Sequence, residues 1–229
     1  MNTLIIGASG GIGKKLVDDL IGSSDNLLLG YNSNKLPIES LRVDARDFES
    51  VKAFVMHGQD KFGSIDAVVN LPGSLILKPA HKCTEEEFTS TIETNLKSAF
   101  AVVRSVGELL ENCSVVLMST AAASIGLANH ELIACAKAGI EGLTRPAAKT
   151  YAKKNIRFNT VSPGLVDTQL TKNITKNKLA LKASERMHAL QRIGKPENIS
   201  NMIRFLINQE NDWITGQNFI VDGGLSSTK

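Results

Sequence analysis

The sequence predicts an α/β fold, a doubly wound three-layer domain built on a single parallel sheet of about seven strands. Three observations predict it. Short β-rich apolar runs alternate with longer helical patterns along all 229 residues. Several of the runs, such as "TLIIG" and "DAVVN", are continuously apolar, as strands buried on both faces of a parallel sheet must be. The first run ends in a glycine-rich turn, "GASGGIG", that opens a helical segment. This alternation argues for right-handed βαβ units, and with no internal repeat, low-complexity segment or linker it predicts one domain over residues 1–229.

The strand candidates are, in order, "TLIIG", "NLLLGY", "ESLRVD", "IDAVVN", "CSVVLMS", "NIRFNTVS" and "QNFIVDG". Helical patterns begin near Gly11, Phe48, Glu85, Leu132, Thr168 and Glu197. The first turn carries glycines at 7, 11 and 13. Gly7 suits a tight turn, and Gly11 and Gly13 let the backbone come close to a pyrophosphate at a helix N-terminus, the arrangement of a Rossmann dinucleotide site. Such a site gripping the ribose of NAD needs an acid at the end of the second strand, yet no acid occurs between Asp25 and Glu39. Asn32, Ser33 and Lys35 stand there instead, which favours the 2′-phosphate of NADP over NAD; the alternative is a plain polar loop. Between Thr168 and His188 a polar stretch carries Lys172, Lys176, Lys178, Lys182 and Arg186. It reads as a solvated helical excursion or as a lid over a pocket for an anionic substrate.

Composition excludes other classes. Hydrophobic residues are 42% and charged residues 21%, enough apolar side chain for a full core. The net charge of +3 comes from charges scattered along the chain, so no nucleic-acid partner is expected. No run approaches the roughly 20 apolar residues of a membrane span, and residues 1–22 lack a signal-peptide core. Cys83, Cys113 and Cys135 are odd in number and widely spaced, which fits a reducing cytoplasm rather than a disulfide framework. His81 and Cys83 have too few companions for a metal site, and His57 and His188 stand at no recognisable spacing, so no metal is expected.

On "GASGGIG", "RVDARD", "IDAVVNLPG", "IETNLKSAF", "VVLMSTAAA", "SPGLVDT" and "ITGQNFIVDGG", the chain resembles the short-chain dehydrogenase/reductase family from Thr3 to Gly224, in the style of 3-oxoacyl-carrier-protein reductases. The resemblance implies a nicotinamide cofactor, a small carbonyl or alcohol substrate, and a homodimer or homotetramer. It assigns the cofactor to Gly7, Ser9, Gly11, Ile12 and Gly13 in the first turn, to Asn32 and Ser33, and to Asp44 and Ala45. Asn70, Gly73, Lys137, Pro163, Gly164, Val166 and Thr168 complete that set. Leu71 and Pro72 depart from the family's Asn-Asn-Ala-Gly pattern.

In this family a serine polarises the carbonyl, an asparagine holds a water chain, and a tyrosine donates a proton. A lysine four residues after the tyrosine lowers its pKa and binds the ribose. The lysine falls on Lys137, the asparagine on Asn95, and the hydroxyl on Thr120 with Ser119 beside it. The tyrosine position holds Ile133, which has no proton to give. His130, three residues earlier, is an alternative acid or a polar capping residue. Cys135 is read as packing. Pro146 predicts a kink or early break in the same helix, which the family uses for assembly. Two functions therefore stand: an oxidoreductase with an atypical or weakened proton donor, or a catalytically silent NAD(P)-binding regulator or structural subunit.

Overall fold

A computed structural model describes residues 1–22 and 26–228. Seven strands are present: β1 (Asn2–Ile6), β2 (Asn26–Tyr31), β3 (Leu41–Arg42), β4 (Ala67–Asn70), β5 (Ser114–Met118), β6 (Arg157–Pro163) and β7 (Asn218–Val221). They form one sheet in the order β3-β2-β1-β4-β5-β6-β7, every neighbouring pair parallel. The continuously apolar runs have the expected cause. Along β1, Leu4 and Ile6 face one layer of core and Ile5 the other; in β5, Val115 and Leu117 oppose Val116.

Helices cover both faces. Leu16 and Leu20 of α1 (Gly11–Ile21) and Ile199 and Ile203 of α8 (Pro196–Ile207) bury one side, with Ile5, Val69 and Val161 beneath them. On the other, α2 (Phe48–Phe62), α4 (Ser98–Leu109) and α5 (Glu131–Thr150) bury Phe54, Val102 and Ile140 against Leu4, Val68 and Phe158. Local chemistry starts these helices. The Asp47 carboxylate accepts from the amides of Glu49 and Ser50 to cap α2, and Thr84 with Glu87 forms a capping box on α3 (Glu85–Ile92). Between α3 and α4 the chain makes one π-helical turn, Glu93–Lys97, with Asn95 inside it.

Two local expectations change, and the polar stretch takes the helical form expected of it. Pro146 neither breaks nor shortens α5, which runs on to Thr150. Pro146 lies on the exposed face, and the carbonyl it orphans belongs to Gly142, also exposed and with open space about it, so water can satisfy that carbonyl. Cys135 points to solvent rather than into packing. The polar stretch folds into α6 (Lys172–Thr175) and α7 (Lys178–Met187). Lys176, Lys178 and Lys182 face solvent and Lys172 pairs with Asp167 at 2.9 Å, while Ile174, Ala180 and Ser184 turn inward. Among the described residues no helix is long and apolar enough to cross a membrane, and no group of His, Cys, Asp and Glu is arranged to hold a metal.

Candidate active site

Strand order reverses between β1 and β4, and in an open parallel sheet that point leaves a crevice beyond the strand ends. Gly7 turns the chain there with φ +81°, and the amides of Gly7 and Ala8 both donate to Gly30 O at 3.0 Å. α1 then starts at Gly11 with no side chain capping it and no acid in its first turn, so its amides face the cleft unengaged by side chains. A Cβ on Gly13 would meet Gly7 O at 2.6 Å and Ala8 O at 2.7 Å, both backbone atoms that cannot yield. Gly13→Ala is therefore expected to destabilise the fold by about 1–3 kcal/mol, read as a lowered melting temperature.

The cleft over this turn has a volume of about 350 Å³. Gly7, Ser9, Gly11, Ile12 and Gly13 form its floor; Asn32, Ser33, Asp44 and Ala45 form one end; Gly73 and Thr168 form the other. Asn70 is buried at the end of β4 and does not line it; its amide nitrogen lies 3.5 Å from Ser98 Oγ. Arg46, which sequence reading passed over, is on the cleft wall. Its Nε and Nη2 donate to the two Asp44 carboxylate oxygens at 2.9 and 2.8 Å, and this pairing holds the Asp44 pKa at about 2.

The cleft opens into a second cavity of about 410 Å³; Ile12, Leu71, Gly73, Thr168 and Leu170 line both. Here α5 presents three side chains along one face: His130, Ile133 and Lys137. Lys137 is buried, its Nζ donating to Met118 O at 2.8 Å, and burial without an acidic partner lowers its pKa to about 8. Gly73 brings the β4 loop against it; a Cβ there would sit 3.6 Å from Nζ and 3.3 Å from Asn95 Oδ1. Ile133 is buried on the cavity wall one turn before the lysine.

The other predicted residues differ in how freely they can act. Asn95 spends its amide hydrogens on Thr91 O at 2.9 Å and Ser74 Oγ at 3.0 Å, and its oxygen accepts from Ser74 N at 3.3 Å. It thus clamps the loop after β4. Ser119 donates to Glu141 Oε1 at 2.7 Å, with Lys137 O also at 3.1 Å, so its hydroxyl is tied beneath α5. Thr120 Oγ1 has only long contacts, 3.4 Å to Pro163 O and 3.4 Å from Ala122 N, which leaves it open to a ligand. His130 occupies the N-cap of α5 without capping it; its Nδ1 donates to Ala128 O at 2.8 Å. Pro163, Gly164 and Val166 close the wall at the end of β6. His188, which no sequence spacing marked, also lines this cavity.

Residues 13–226 match the family model described as enoyl-(acyl carrier protein) reductase. The chain is 33% identical over 220 residues to the 3-oxoacyl-[acyl-carrier-protein] reductase FabG of Thermotoga maritima, covering 95% of this chain and 86% of that one. It is 30% identical over 243 residues to a chloroplastic tropinone reductase homologue of Arabidopsis thaliana, covering 99% and 76%. Among solved structures, ligand-free aldohexose dehydrogenase of Thermoplasma acidophilum superposes with a TM-score of 0.91 at 26% identity, covering 100% of this chain and 95% of that one. ElxO with NADP bound gives 0.89, also at 26% identity, covering 99% of each chain. A match over nearly the whole length, on a seven-stranded parallel sheet with its crevice at the strand reversal, places this chain in the short-chain dehydrogenase/reductase family of oxidoreductases.

Proposed function

We propose that this protein is an NAD(P)-dependent oxidoreductase, with NADP preferred, that interconverts a ketone and its alcohol in the cavity beside Lys137. The observation that carries this reading is the continuity of the two spaces: one ligand can run from the glycine turn, past Gly73 and Thr168, to the buried lysine. The residues fit a nicotinamide dinucleotide. The glycine cradle leaves α1 amides for a pyrophosphate. Asp44 and Ala45 would hold the adenine, and Asn32, Ser33 and the Arg46 guanidinium, on the wall of the same cleft, would hold a 2′-phosphate. Gly73 lines the passage with Asn70 buried behind it at the end of β4; Lys137 would hold the ribose, and Pro163, Gly164, Val166 and Thr168 would flank the nicotinamide. The bound cofactor supplies or accepts the hydride. The NADP carried by the structural relative ElxO supports the preference.

Thr120 polarises the substrate carbonyl with its loosely held hydroxyl. Asn95 and Ser119 act at one remove, the first by fixing the Ser74 loop and the second by anchoring α5 through Glu141. His130 supplies the proton. Because its Nδ1–H is committed to Ala128 O, the proton gained in the imidazolium form sits on Nε2, and giving it to the developing alkoxide restores the neutral ring. The exposed apolar side chains of Phe205, Trp213 and Ile220, near the β7 edge, support a homodimer or homotetramer. The free thiols suit the cytoplasm. Ile133 favours a second reading, a silent cofactor-binding subunit, because it puts an apolar wall where proton transfer is needed.

Fluorescence titration with NADPH and NADH, followed by cofactor oxidation on ketones including 3-oxoacyl and enoyl thioesters, separates the two. The thioesters are included because the family model and the Thermotoga relative carry those names. Tighter binding of NADPH with turnover is expected. Binding without turnover on any carbonyl would establish the silent reading, and no binding of either cofactor would defeat both.

A further inference from the structure

Charge that looks scattered along the chain is gathered by the fold. Residues 168–195 hold seven of the 26 lysines and arginines but one of the 23 aspartates and glutamates, Glu185, so the rest of the chain is net acidic. Lys178, Lys182 and Arg186 recur four residues apart on α7, hence in a row along one exposed face, with exposed Lys176 just before it. Among the described residues none of these four cations forms an ion pair, and neither does Glu185. Several lysines elsewhere, by contrast, have carboxylate partners: Lys15 with Asp19, Lys52 with Glu108, Lys61 with Glu39 and Lys78 with Glu87. Like charges four apart weaken a helix, so the row on α7 is a strain that an external anion would relieve.

Large apolar side chains stand exposed in the same segment. Leu179 is 82% exposed, one residue after Lys178 and three before Lys182, so it emerges beside the cationic row. Leu170, Met187 and Leu190 are exposed as well. Leu170 and Met187 also line the 410 Å³ cavity, joined there by Ile174, Ala180 and Ser184 from the inner side of α6 and α7. This layer is therefore a single helix thick, with the cavity on one side and the basic, leucine-bearing surface on the other. Composition indicates what such a surface meets. Protein–protein interfaces are enriched in aromatic residues and depleted in lysine, whereas residues 168–195 hold five lysines and no Phe, Tyr or Trp. Lysines beside exposed leucines suit an anionic bilayer: the ammonium groups stay among the phosphates while the apolar tips enter beneath them.

We propose that the outer face of α6 and α7 docks on an anionic lipid surface, with Lys176, Lys178, Lys182 and Arg186 meeting the headgroups and Leu179 inserted between them. Docking sets Leu170 and Met187, and the cavity they line, against the bilayer. The proposal goes beyond the oxidoreductase reading and needs neither cofactor nor turnover. Binding strength of this kind sums buried apolar area and attraction to anionic lipid, so both kinds of side chain must matter.

Co-sedimentation of the natural chain with vesicles tests this. Vesicles of phosphatidylcholine alone are compared with vesicles that contain about one-third phosphatidylserine, at about 0.15 M salt. Binding is expected only to the second, and it is expected to fall steeply at about 0.5 M salt, where charges are screened over half the distance. Lys178→Gln, Lys182→Gln and Arg186→Gln together are expected to weaken it about 10²-fold, at about fivefold per cation. Leu179→Gln alone is expected to weaken it about tenfold. All four side chains are exposed, so the variants keep the fold, as an unchanged melting temperature will show. No preference for the anionic vesicles overturns the proposal whatever the variants do. Binding that survives the triple substitution lies elsewhere on the molecule, and binding indifferent to Leu179→Gln is adhesion by charge alone; either result overturns it. Polyglutamate serves as the probe for an acidic protein partner: a chain that binds polyglutamate but no vesicle carries a protein-docking site, and the lipid proposal falls.

Discussion

His130→Ala is expected to lower kcat/KM for carbonyl reduction by about 10²–10⁴, and adding Ile133→Tyr to that same variant is expected to restore most of the loss. The first half follows from the proposed role: Nδ1 is held by Ala128 O and the ring lines the cavity, so on that mechanism its removal deletes the proton source. The second half follows from position. Ile133 lies one turn before Lys137 on the same face of α5, its side chain on the cavity wall. A tyrosine there projects into a cavity of about 410 Å³ rather than into packed core, so it enters without the usual cost of overpacking. Its phenol would meet an ammonium that has no acidic partner, and that charge favours the phenolate and eases proton release. Steady-state NADPH oxidation by the natural chain, the single variants and the double variant decides the matter. Equal rates for His130→Ala and the natural protein would remove the histidine from the chemistry. Full activity appearing only with Ile133→Tyr would identify a silenced reductase.

Lys137→Met is expected to abolish cofactor binding and, at pH 7, to stabilise the protein by about 2 kcal/mol, roughly 4–8 °C in melting temperature for a chain this long. Burial lowers the folded-state pKa to about 8 from 10.5. Above pH 10.5 both the folded and unfolded chains hold a neutral amine, and the lysine costs nothing. As pH falls toward 8 the unfolded chain gains a proton that the folded chain refuses, so stability drops through that window and the full cost, of order 3 kcal/mol, is present below it. Methionine fills similar space without charge. It forfeits the hydrogen bond to Met118 O, worth about 1 kcal/mol, which leaves the net gain. Urea unfolding of both chains at pH 7 and pH 10 checks the sign. The gap between them must shrink at the higher pH, and a variant less stable than the natural chain at pH 7 would refute the argument.

Burial sets that cost, and the sequence could place the lysine on its helix but not weigh it. Local pattern located all seven strands, most directly β4 and β5, because a strand buried on both faces is apolar almost throughout. It also located the glycine turn, because Gly13 tolerates no Cβ against Gly7 O, and it set Ile133 and Lys137 on one helical face, because 3.6 residues make a turn. These are local rules, and a local sequence obeys them wherever it is read.

The remaining features were settled by what lay across the fold. Arg46 reaches the cleft because Asp44 holds its guanidinium, a pairing two residues apart that says nothing of where it points until β2, β3 and the glycine turn converge. Asn95 turned out to clamp Ser74, and Ser119 to bond Glu141, because each found a partner more than twenty residues away. Pro146 was absorbed because the carbonyl it orphans faces open space, and the lysines after Thr168 turned outward because α6 and α7 set apolar side chains over the cavity. His188 is buried because Gly164 and Gly223, from two different strand ends, close around its ring. Backbone geometry repeats within a few residues and is written in the sequence; burial and hydrogen-bond satisfaction belong to pairs brought together by packing, and only the folded chain fixes them.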